Sequence, residues 1–154
     1  MIIEEDDLSR TETLALLALH LRGMHASSPP GTVFALDLDG LKAPGVTVFS
    51  AWRDRNTILG IGALKQLDPF AGEVKSMRTH PDHVRKGVAA ALLLRIIAEA
   101  RRRGLERLSL ETGVGPDFEP ALALYRRYGF VDGEPFADYE RNGFSQFLHL
   151  QLGS

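Results

Sequence analysis

The chain contains no cysteine. That excludes a disulfide framework, a thiol nucleophile and any cysteine-ligated metal. Nor is there an apolar run of the ~18 residues that a membrane span requires. The first residues, Met1-Ile2-Ile3-Glu4-Glu5-Asp6-Asp7, are acidic, unlike a secretory leader. No membrane association is expected, and the cytoplasm is the expected location. The formal net charge is only −2, so there is no general basic surface for nucleic acid. No pair of its five histidines has a convincing metal spacing. Surface or capping roles are therefore expected for them, and no metal. Repeats and low-complexity tracts are lacking.

What remains is ordinary for a globular chain. The 154 residues, 44% hydrophobic and 25% charged, suit one domain with one sizeable core. A short strand is predicted at residues 1–5. Ser9, with Glu12 three residues on, has capping-box spacing for a helix carrying Leu14, Leu17 and Leu21 toward His25. Ser27-Ser28-Pro29-Pro30-Gly31 ends it. A second short helix is predicted over 33–41. Strands over 46–52 and 57–67 flank a tight connection and read as an antiparallel hairpin. Further strands are predicted at 73–79, 108–112, 129–131 and 145–152, with helices at 84–103 and 119–128. Alternating strands and helices give a mixed α/β sheet.

The informative stretch is the strand–turn–helix at 73–104. Arg85-Lys86-Gly87-Val88-Ala89 opens a helix whose Val88, Leu92, Ile96 and Ala100 recur every four residues. First-turn amides lack intrahelical acceptors, and the helix dipole makes that end positive. A glycine there lets a ligand approach, and two cations stand beside it. The combination reads as a pyrophosphate cradle, although a solvated basic turn before an ordinary helix has the same spacing. A second stretch, Leu124-Tyr125-Arg126-Arg127-Tyr128-Gly129-Phe130, ends a helix and turns directly into a strand. Tyr125 there is either a proton donor at a cleft edge or a core aromatic. Gly60-Ile61-Gly62 is a fragment of a dinucleotide fingerprint, but its third glycine is missing.

Together these stretches resemble the GCN5-related N-acetyltransferase (GNAT) family. Gly87 and Ala89 match the later positions of that family's phosphate loop. Thr79-His80-Pro81 approximates the end of the strand before it. Leu124-Tyr125 and Gly129-Phe130 match the family's later signature completely, and the element order agrees over nearly the whole chain. Two departures stand out. Val84 occupies the loop position usually held by arginine or glutamine, and Phe118 stands where many members have asparagine.

The resemblance implies a mixed, mostly antiparallel sheet with helices on both faces and a splay between two central parallel strands. It implies acetyl-coenzyme A as cosubstrate and a primary amine as acceptor, joined by direct attack in a ternary complex. Met77 and Thr79 would offer backbone groups to the pantetheine and acetyl carbonyl. Amides around Arg85, Lys86, Gly87 and Ala89 would hold the pyrophosphate, and Tyr125 would be the acid. For the base, Glu73 comes first, because alternation puts Glu73, Lys75 and Met77 on one strand face beside the expected acetyl group. Glu111, across the splay, comes second. Lys75 on that face favours a small acceptor with its own negative group, unless it merely pairs with Glu73. A non-catalytic acetyl-coenzyme A sensor or scaffold is the rival class, and a homodimer stays open.

Overall fold

In a computed structural model, residues 1–153 are described. They form a seven-stranded sheet in the order β1-β2-β3-β4-β5-β7-β6. The strands are β1 Ile2–Glu5, β2 Val46–Asp54, β3 Thr57–Gln66, β4 Ala71–Thr79, β5 Arg107–Gly113, β6 Val131–Asp132 and β7 Ser145–Gln151. Every neighbouring pair is antiparallel except β4–β5. The helices are α1 Thr11–Ser27, α2 Leu38–Leu41, α3 Val88–Arg102 and α4 Glu119–Arg127. The mixed sheet and the β2–β3 hairpin are as the sequence pattern predicts.

Two hydrophobic layers sandwich the sheet. On one face, Val88, Leu92 and Ile96 of α3 and Leu122 and Tyr125 of α4 meet Phe49, Leu64, Val74, Leu108 and Leu110. On the other, Leu16 and Leu17 of α1 meet Val48, Trp52, Ile58, Ile61 and Ala63. Gly60 and Gly62 explain the glycine fragment in β3. A Cβ at Gly60 would lie 2.8 Å from Val88 Cγ1, and one at Gly62 would lie 2.6 Å from Met77 Sδ. These glycines let α3 and β4 close onto β3, and have nothing to do with a dinucleotide.

Three sequence expectations are corrected. The Ser9 capping box does not form. Arg10 precedes α1 without a side-chain cap, while Ser9 bonds Asp7. The start of α1 is tied down by Asp6, which accepts from Thr13 Oγ1 (2.9 Å) and Ser50 Oγ (2.6 Å). The second helix is a single turn, because the Asp37 side chain captures the Gly40 amide at 2.9 Å and starts it late. The third helix begins at Val88, not at 84. Arg85 (φ 63°) and Gly87 (φ 80°) are left-handed, and an α-helix cannot run through them.

Candidate active site

The site is made by the failure of one strand pair. β4 and β5 are in register only at Ala71–Arg107, Gly72–Leu108 and Glu73–Ser109. Beyond these the strands part, and a cleft of about 890 Å³ opens between them. A bulge in β4 lies along the gap. Ile61 pairs with Arg78 and Ala63 with Lys75, so Ser76 and Met77 together face Gly62. Ser76 takes φ 57°, a left-handed conformation that a non-glycine residue adopts only at a cost. Its Oγ is buried and has no hydrogen-bond partner among the described residues.

The bulge overturns one sequence expectation. Strict alternation puts Met77 on the face of Glu73 and Lys75. The extra residue instead swings Met77 toward α3, packed against the Val74–Leu92 core. Glu73, Lys75 and Arg78 lie toward the opposite side, where α1 and the loop before β7 cover the sheet.

On that side stands a buried polar cluster. Glu73 is 2% exposed. Its Oε2 accepts from Lys75 Nζ (3.1 Å) and from the Tyr139 hydroxyl (2.6 Å). Lys75 Nζ also donates to that hydroxyl oxygen (2.9 Å). The Tyr139 ring is held by Phe34 (5.3 Å), Phe136 (5.0 Å) and Phe147 (5.8 Å). Burial, and then the charge of Glu73, push the Tyr139 hydroxyl well above its ordinary range. Lys75 therefore pairs with Glu73 rather than offering a bare cation to the cleft. Glu111 lines the cleft from β5. Burial raises its pKa, with Ser145 and Lys75 pulling the other way and Glu73 adding to the rise.

At the far end, the loop from His83 to Val88 forms a shallow nest. Left-handed residues at 85 and 87 turn successive backbone N–H groups to one side. The Val88, Ala89 and Ala90 amides begin α3; Ala91 is the first to bond back, to Gly87 O at 3.0 Å. A Cβ at Gly87 would meet nothing within 4 Å, so the space above the loop is open. Val84, Arg85, Gly87, Ala89, Met77 and Thr79 all line the cleft. Lys86 turns aside, with Nζ 3.1 Å from His83 Nδ1.

Tyr125 is 7% exposed, on α4, with its ring 5.7 Å from Phe130. It lines the cleft. Burial alone lifts its pKa above the ordinary value, so it keeps its proton at any working pH. Phe118 is buried against Phe144, ring centroids 5.4 Å apart, and supplies shape where a polar side chain is common.

Three residues escaped the sequence reading. Tyr139 lies in a segment that reads only as a polar loop. Arg78 Nε donates to Nδ1 of His20 at 3.0 Å, a pairing between β4 and α1 that no local spacing announces. His20 is 4% exposed, and burial followed by the charge of Arg78 lowers its pKa to about 4. The expected surface role fails for it, whereas His149 is half-buried and bonds Ser109 Oγ (2.7 Å) and Glu134 O (2.8 Å).

A splayed parallel pair and a helix-initiating nest are the features that the resemblance to a GNAT acetyltransferase implies. The family model for the acetyltransferase (GNAT) family matches residues 13–130, and the chain belongs to that family. YsnE of Bacillus subtilis, named as an uncharacterized N-acetyltransferase, is 48% identical over 99% of this chain and 100% of its own. An acyl-CoA N-acyltransferase from Klebsiella pneumoniae superposes with TM-score 0.82 at 28% identity, covering 99% of this chain and 97% of the other. A Bacillus subtilis acetyltransferase solved with CoA shares the fold at TM-score 0.69 and 19% identity, over 97% of each chain. No helix among the described residues is long and apolar enough to cross a membrane.

Proposed function

We propose that this chain is an acetyl-coenzyme A-dependent N-acetyltransferase whose acceptor is the primary amine of a small, amino-acid-like molecule, attacked directly in a ternary complex. The whole described chain acts as one domain in this reading. The observation that carries it is the parting of β4 and β5 after Glu73 and Ser109. This leaves backbone donors and acceptors on two strand edges facing one cleft, and buried backbone polar groups need partners.

The residues present fit the donor. The open nest at Arg85–Gly87 and the first amides of α3, Ala89 included, would hold the pyrophosphate, with Arg85 adding charge and Lys86 close by. Its contacts are backbone ones, so Val84 in place of the usual arginine or glutamine removes one side-chain contact and leaves the cradle. The Met77 and Thr79 backbone would meet the pantetheine and the acetyl carbonyl, and the unpartnered Ser76 Oγ lies at the same bend. Bound there, acetyl-coenzyme A supplies the acetyl group as an activated thioester.

The protein's own groups then manage protons. Tyr125 holds its proton and can give it to the departing sulfur. A lysine-like amine, with pKa ~10.4, is almost wholly protonated near pH 7 and must lose a proton before attack. Of the two carboxylates, Glu111 suits this task better. Its raised pKa moves it toward the working pH, where a general base is most effective. Glu73 has Lys75 and Tyr139 on one oxygen and orders the floor of the site instead.

The test is turnover. Purified protein with acetyl-coenzyme A and a panel of amines should release free thiol and acetylated product. Tight donor binding with no thiol released across the panel would favour the non-catalytic sensor instead.

A further inference from the structure

With Lys75 paired to Glu73, Arg78 stands out among the cations that line the cleft, because it lies on the α1 side of the sheet, away from Arg85 before α3 and Arg127 on α4. Arg78 leaves β4 just past the bulge, lies half-buried in the cleft wall and makes no ion pair among the described residues. Its partners are both on His20, with Nε donating to Nδ1 at 3.0 Å and Nη2 to the backbone oxygen at 3.4 Å. A guanidinium has further N–H donors beyond these. Taking such a cation out of water without a counter-charge is costly.

The helix is shaped for it. His20 accepts the Nε–H, which fixes the ring with Nδ1 unprotonated, and its depressed pKa keeps it so. One turn on, Gly23 leaves room for the guanidinium. A Cβ there would lie 3.0 Å from Nη2. Donor-side cations cannot account for the arrangement, because Arg85 and Lys86 belong to the loop before α3.

We propose that Arg78 is a specificity residue that binds a carboxylate on the acceptor, so that the substrates are amines carrying a carboxylate close to the reacting nitrogen. The proposal rests on the acetyltransferase reading and sharpens its acceptor class. It moves the anion contact from Lys75 to Arg78. The planar fork of arginine matches a carboxylate with two parallel hydrogen bonds. Arg78 directly follows Met77, whose backbone is assigned to the acetyl end of the donor. Amine and carboxylate must therefore sit near each other in the acceptor, as they do in an amino acid.

The experiment uses matched pairs, each an amino acid and the amine left after its decarboxylation, with wild type and Arg78→Gln. Free coenzyme A release gives kcat and KM for each, and calorimetry with coenzyme A checks that the variant is folded and loaded. Wild type should prefer the carboxylated member by about 10- to 100-fold in kcat/KM, mostly through KM. Arg78→Gln should bring the two members near parity. Parity in wild type, or a preference retained by a folded Arg78→Gln, overturns the anchor while leaving acetyl transfer standing. Should Arg78→Gln fail to fold, Arg78→Lys is the second variant: it keeps the charge but not the planar fork, so the preference should shrink, and an unchanged ratio in folded Arg78→Lys overturns the anchor. A wild type that releases coenzyme A with neither half of the panel overturns the acetyltransferase reading, and the anchor with it.

Discussion

Gly87 separates folding from binding in the phosphate loop. Its φ of 80° is left-handed, and its absent Cβ faces empty space. Gly87→Ala thus creates no clash. It pays only the conformational cost of an L-residue in that region, about 1–2 kcal/mol. For a domain of this size that corresponds to a melting temperature lower by roughly 2–8 °C. Gly87→Glu carries the same backbone cost, so its stability should be close to that of the alanine variant. Its effect on the donor should be far larger. A carboxylate held about 4 Å from a phosphate charge is repelled by ~1 kcal/mol in water and ~4 kcal/mol at the effective dielectric of a protein surface. Between those limits, coenzyme A affinity should fall by a further factor of roughly 5 to 1,000 relative to Gly87→Ala. The assay is thermal unfolding of both variants without ligand, followed by calorimetric titration with coenzyme A. Equal affinities in the two folded variants would refute the placement of the pyrophosphate at this loop.

Tyr125→Phe should lower kcat by about a hundredfold with coenzyme A affinity nearly kept; equal kcat under conditions where chemistry limits would return Tyr125 to a packing role. The acidic limb of the kcat/KM profile should be shifted upward from that of an ordinary glutamate in wild type, following the raised pKa of Glu111, and should vanish in Glu111→Gln. Glu73→Gln should instead act on stability, by about 3 kcal/mol, because Lys75, its side chain 8% exposed, loses the carboxylate it bonds; denaturant melts measure this. Glu99 is held by Arg102, Arg103 and Arg95, with Arg102 the largest cause, and its pKa falls from 4.5 to about 2. A lowered carboxylate pKa stabilises the fold above the unfolded value, and the contribution is lost as pH falls from about 4.5 toward 2. Because Arg102 is 71% exposed and Arg95 38%, solvent screening reduces the effect to about 1–2 kcal/mol. Glu99→Gln should therefore flatten the acid limb of the stability profile.

The order of strands and helices was legible because hydrophobic period and turn residues are local signals. The stripe of Val88, Leu92 and Ile96 and the turn at Tyr128-Gly129 needed no tertiary information. The start of α3 was misjudged because nothing in Val84-Arg85-Lys86 announces a left-handed arginine. The orientation of β4 failed for a similar reason. Alternation assumes a regular pleat, and one extra residue at Ser76 reverses every face after it. The cluster around Glu73 was half legible: its carboxylate and lysine stand two apart on one strand, but Tyr139 arrives from a loop 66 residues later. The Arg78–His20 pair was invisible, since it exists only where α1 crosses the sheet.

The three-residue seam between β4 and β5 also divides the amides into two populations. Those beside Ala71–Glu73 are locked into a ladder on both sides. Those past the seam that point at β5 have only solvent to bond until something enters the cleft. In deuterated buffer the gap-facing amides between Met77 and Thr79 should exchange quickly, while their neighbours turned toward β3 stay protected. A molecule lying in the gap stands in for the missing strand and should slow that exchange one residue at a time, writing its own path along the backbone.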